Sequence, residues 1–137
     1  MTKLQPVAVF LSSQYPCSKV RCAPHYCIDN VTKVSHQDGD KTELCHTGSH
    51  PAPWLAIDFG EEAQVSVEKV VLFNRNSSRN YENQRLRNVE VRLTDELPTA
   101  AKEKFSKGHL LGSFEGPATA GQGQGARRGS KTQRLNN

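Results

Sequence analysis

Two apolar runs separated by a short acidic turn constrain this chain more than any other feature. The first is Trp54-Leu55-Ala56-Ile57-Asp58-Phe59 and the second runs from Val65 to Asn74, with Gly60-Glu61-Glu62 between them. Both are rich in β-branched and aromatic residues, and neither is long enough for a buried helix, so both read as strands. Neither approaches the roughly 20 apolar residues that a membrane-crossing helix needs. Each run has a polar residue of recognition type at one end: His46 shortly ahead of the first, Arg75 at the close of the second.

Further strands follow from the same reasoning. Val7–Ser13 has the composition of an opening strand, and Leu110–Phe114 that of a late one. Between Leu86 and Leu93, Val89, Val91 and Leu93 alternate with Glu90 and Arg92, the pattern of a strand with one face in the core and one in water. Ala100–Phe105 suits a single helical turn. Gln14–Ser49 has little periodicity but many turn formers, among them Pro16, Pro24, Asp29-Asn30 and Asp38-Gly39-Asp40. It reads as long structured loops with one short helical turn. Short strands between turn clusters indicate an all-β sandwich or jelly roll.

The 137 residues suffice for one domain with a single core, and a mean hydropathy of -0.66 favours a β module with long loops over a helical bundle. The formal charge of +4 is local. Arg127, Arg128, Lys131 and Arg134 lie in residues 123–137, which contain no acid; without these 4, the 18 basic side chains become 14 against 14 acidic ones. The body, residues 1–122, is therefore neutral. Residues 123–137 read as a glycine-rich basic tail expected to be disordered. Four charges on such a segment mainly solvate it, so no nucleic-acid partner is expected.

All 4 cysteines, Cys17, Cys22, Cys27 and Cys45, lie in the loop region. An even number in a small loop-rich chain indicates disulfides and an oxidising compartment. A zinc site is disfavoured because no Cys-x-x-Cys knuckle is present. Two sequons, at Asn30 and Asn76, fit a secreted glycoprotein. The start of the chain does not read as a signal peptide, because the apolar stretch Val7–Leu11 is too short. No nucleophile elbow, phosphate-binding glycine loop or poised acid pair is visible, so no enzyme activity is expected.

Ser12-Ser13, Cys27-Ile28-Asp29, Cys45-His46-Thr47, Pro53–Gly60, Phe73-Asn74-Arg75 and Arg85–Val91 occur in an order that resembles the F-type lectin (fucolectin) domain. That family belongs to the galactose-binding-like jelly rolls, together with the discoidin domains. The resemblance covers about residues 7–118. It implies a jelly-roll β-sandwich over residues 1–122, here lacking its last C-terminal strand, and binding of L-fucose by a histidine and two arginines. Carried over, these are His46, Arg75 and Arg85, with Arg79 and Arg87 as alternatives to Arg85. The separation of His46 and Arg75 is slightly longer than in the family, with Glu61–Gln64 the place of the insertion. Ser77 stands where the family has aspartate, and an adjacent cysteine pair that often packs on the sugar is missing.

The residue types suit the task. An arginine fork can reach a ring oxygen and a neighbouring hydroxyl at once. A histidine nitrogen can bind an axial hydroxyl, and the fucose methyl group needs an apolar wall, supplied by Tyr81 or Tyr26. Trp54, opening an apolar strand, belongs to the core, and His25, His36, His50 and His109 to the surface. A neutral sugar brings no Coulomb gain, so weak sites and avidity, by a homo-oligomer for example, are expected. The resemblance also implies a structural calcium ion near Asp29, with Val31, Asp38 and Asp40 as further donors. Of three possible disulfide pairings, Cys27–Cys45 with Cys17–Cys22 is favoured. The expected partners are fucosylated glycans outside the cell, without membrane insertion. The alternative is an adhesion or scaffold module that has lost sugar binding.

Overall fold

The computed structural model describes residues 5–17, 22–30, 35–36, 44–77, 80–99, 104–118 and 123–125. These are mostly β with almost no helix. Strands β1 (Ala8–Leu11), β2 (Ser35–His36), β3 (Leu55–Asp58), β4 (Val71–Phe73), β5 (Asn76–Ser77), β6 (Val89–Leu93), β7 (His109–Phe114) and β8 (Gly123–Gly125) are joined by loops, a 3-10 turn at Pro24–Cys27 and one helical turn, α1 (Asn80–Asn83). The strands pair as β1-β3, β2-β5, β4-β8 and β6-β7, antiparallel except for the parallel β2-β5 pair. Among the described residues no ladder joins one pair to another.

The expected strands form, all shorter except β7, which begins one residue before the expected Leu110. The run expected from Val65 enters a ladder only at Val71, because Val71–Phe73 is the part that meets a partner, β8. Residues 104–107 are not helical, and the earlier part of the helical turn expected there lies outside the described residues. The β6-β7 ladder shifts register between Val91 and Arg92, pairing Val91 with Gly112 and Arg92 with Leu110. Leu111 is thus the extra residue of a bulge, which bends β7 and adds local twist. Gly116, after β7, adopts φ +76, where a side chain would be strained. It lies so close to Leu86 and Arg87 that a Cβ would come within 2.7 Å of the Arg87 Cβ. Asn88 N–H donates to Glu115 O and Ala118 N–H to Leu86 O, both at 2.9 Å, locking this corner.

Gly123–Gly125 fall within the segment expected to be a structureless tail, yet they pair with β4. The remainder of that segment, from Ala126, lies outside the described residues. In this ladder Val71 faces Gly125 and Phe73 faces Gly123. Directly opposed residues share a face, and glycine has no side chain to cover its neighbour. Phe73 is accordingly 50% exposed.

The apolar core is thin. Cys22 and Ala118 are the fully buried hydrophobic residues among those described, and Leu55 and Ile57 stay about as exposed as Phe10 on the neighbouring strand. Trp54, expected in the core, is half-buried. What burial the fold achieves is unusually polar: Asn74, Glu82 and Asn83 are all buried.

Two disulfides, Cys17–Cys22 and Cys27–Cys45, staple the loop region, with Cα–Cα separations of 5.8 and 5.1 Å. Both lie within the usual range for a bridge, and the pairing is the one favoured from the sequence. They fit an oxidising compartment. Among the described residues no helix is long and apolar enough to cross a membrane.

Candidate functional site

The sequence-derived residues fall on two structural supports. The first is the continuation of β1 beyond its last ladder residue. Gln14 and Thr47 form an antiparallel bridge, Tyr15 N–H donates to His46 O at 3.0 Å, and Gly48 N–H donates to both Ser13 O and Ser13 Oγ. Cys45 is tied to Cys27, so the segment carrying His46 is held covalently on one side and by hydrogen bonds on the other. The Tyr15 ring lies against His46 with centroids 4.6 Å apart and the planes tilted by 39°.

The hydrogen bond of the His46 ring decides what that ring can do. Nδ1 lies 2.7 Å from Thr47 O, and a carbonyl can only accept, so Nδ1 carries the proton. In the neutral imidazole Nε2 then holds the lone pair. His46 is thereby oriented as an acceptor, with the half-exposed Tyr15 ring as an apolar surface beside it.

One histidine expected at the surface has a structural role instead. His50 Nε2 and Ser12 Oγ share a 2.8 Å hydrogen bond, and Trp54 N–H donates to the same Ser12 Oγ at 3.1 Å. This joins the end of β1 to the start of β3. His50 Nδ1 is buried without a hydrogen-bond partner among the described residues.

The second support is the corner between β4 and β6, built around α1. Asn74, directly after β4, is buried and donates its Nδ2 to Asn83 O at 2.7 Å. Arg75 Nη2 donates to Glu82 Oε2 at 2.5 Å, with the two side chains only 12% and 10% exposed. Arg75 Nε is buried and has no hydrogen-bond partner among the described residues. Two residues beyond α1, Arg85 is exposed, its N–H donates to Glu82 O, and its guanidinium lies over the Tyr81 ring, 5.6 Å from the centroid. That distance is within cation–π range. α1 thus gathers Arg75, Tyr81, Glu82 and Arg85 into one corner, with Tyr81 58% exposed as its outer wall. His46 makes its own contacts with Tyr15 and Thr47.

The remaining expected positions are less informative. Asn30 is exposed with φ +64, in the left-handed region that asparagine tolerates, so its sequon begins at an accessible side chain. The backbone of Asn76 pairs with Ser35 and that of Ser77 with His36. Tyr26, the alternative apolar wall, lies in the 3-10 turn with its ring tilted by 46° against exposed His25, centroids 4.0 Å apart. Of the calcium set, Asp29 is half-buried, while Val31, Asp38 and Asp40 lie outside the described residues, as does Arg79. Among the described residues no three His, Cys, Asp or Glu side chains gather as metal ligands.

Two contributors escaped the sequence reading. Glu82 sits in a polar stretch with no periodicity, and nothing but its burial in the fold sets it apart. Tyr15 carried a weak signal, an aromatic ring between Gln14 and Pro16 in a turn. Comparison with family models, with curated proteins and with solved structures gives no match to this chain.

Proposed function

We propose that this chain is a non-catalytic carbohydrate-binding module of the galactose-binding-like jelly-roll type, acting outside the cell and taking L-fucose or fucosylated glycans. In this reading His46, Arg75 and Arg85 are the polar contacts and Tyr81 the apolar wall for the sugar methyl group. The observation that carries it is the hydrogen bond of the His46 ring: with Nδ1–H committed to Thr47 O, Nε2 is the ring nitrogen left for a sugar hydroxyl. The exposed Tyr81–Arg85 pair supports it, since an aromatic face with a guanidinium fork suits a ligand with one apolar edge and several oxygens.

A glycan array with the intact chain tests the reading, run with and without calcium. Fucosylated glycans are the expected hits, lost in both His46→Ala and Arg75→Ala. Binding by those variants equal to that of the intact chain would refute the site. A difference between the calcium arms would support an Asp29-centred ion.

A second reading, an adhesion or scaffold module without sugar binding, is favoured by one observation. Arg75 is mostly enclosed and already paired with Glu82. An array without hits from a chain that melts cooperatively would select this alternative.

A further inference from the structure

We infer that Glu82 is a positioning residue for the ligand site, holding the Arg75 guanidinium in a single orientation; this rests on the carbohydrate-binding reading. An isolated arginine side chain samples many rotamers, and fixing it when a ligand arrives weakens binding. Here the fixing is done by the fold. Asn74 is anchored to α1 through Asn83 O, and the very next residue is anchored to α1 through Glu82. Glu82 is itself held, since its backbone carbonyl accepts from Arg85 N–H at 3.3 Å. The two arginines of the corner are therefore both attached to one residue, Arg75 by its side chain and Arg85 by its backbone.

The charge balance points the same way. An arginine side chain only 12% exposed needs a counter-charge, because a neutral sugar would supply none. Glu82 neutralises Arg75 without using all of its five donors. Ligand oxygens thus meet a donor whose orientation is already set.

Fucose affinity is to be measured by calorimetry for the intact chain, Glu82→Ala, Glu82→Gln and His50→Ala, all below their melting temperatures. Glu82→Ala should weaken binding by about tenfold or more, the scale of losing one charge-assisted hydrogen bond. Glu82→Gln, which keeps an acceptor of the same length but not the counter-charge, should restore part of it. His50→Ala should lower the melting temperature while leaving affinity unchanged, which separates positioning from general destabilisation. Unchanged or tighter binding by Glu82→Ala overturns the inference, tighter binding meaning that Glu82 blocks the site. A second measurement uses the intact chain alone: the Arg75 Nε–H resonance should move on adding fucose, and an unmoved signal beside measurable binding overturns the inference as well. No binding by the intact chain removes the carbohydrate reading itself, and this inference with it.

Discussion

Gly116 and Ser12 each hold together segments distant in sequence, one by lacking a side chain and the other by the two bonds of its hydroxyl. At Gly116 the φ of +76 and the nearby Leu86 and Arg87 backbone leave no room for a Cβ. Gly116→Ala should destabilise the fold by about 1–3 kcal/mol, through backbone strain and displacement of the Leu86–Asn88 segment, as read from denaturant melts. At Ser12 the Oγ satisfies Trp54 N–H and His50 together. Ser12→Ala leaves a half-buried N–H and a second unsatisfied imidazole nitrogen, a loss of about 1–3 kcal/mol by the same measurement. Residue-scale roles were legible where chemistry restricts the choice. Cysteines must pair, and the bridges are those favoured from the sequence. The Glu82–Arg75 pair was not legible, because a carboxylate in a polar stretch looks the same whether it faces water or a guanidinium.

Strands were legible where apolar alternation or β-branched runs mark them, as in β1, β3, β6 and β7. Their partners were not, because pairing depends on register and on turns whose geometry leaves no pattern in the chain. β8 shows this most plainly: a Gly-Gln-Gly segment has the composition of a linker, and only its lie beside β4 makes it a strand. Removing residues 123–137 should therefore lower the melting temperature further than removing residues 126–137; equal melts for the two deletions would discount the β4-β8 ladder. On β6, the Glu90 carboxylate is hydrogen-bonded first by Lys104 and then by Arg92, at 3.2 and 3.1 Å, and these hold its pKa below the ordinary value of 4.5. A depressed carboxylate contributes stability above its unfolded value and loses it as pH falls through its folded value. Glu90→Gln should flatten the acid side of a melting-temperature profile below about pH 4.5 at low salt, and the difference should fade as salt is added. The effect will be small, since the group is exposed.

At the scale of the molecule, the thin apolar core shifts the burden of stability to covalent links. Val7, Phe10, Leu55, Phe73 and Leu110 all remain exposed. The Cys27–Cys45 bridge closes a longer loop than Cys17–Cys22, with sequence separations of 18 and 5, so chain-entropy reasoning ranks it the more stabilising, at about 3 kcal/mol. Reductant should lower the melting temperature sharply, and Cys27→Ser with Cys45→Ser should cost more than the same change at Cys17 and Cys22. Global architecture was legible only as β-rich, because a sequence shows which residues want a face and not which faces meet. The longer bridge also has an engineering consequence. Its ends stay 5.1 Å apart at Cα whatever lies between them, and closure entropy rises only with the logarithm of length. A peptide inserted between Cys27 and Cys45 therefore leaves in place the bridge that anchors the segment carrying His46, provided that the β2-β5 pair at Ser35–His36 is kept.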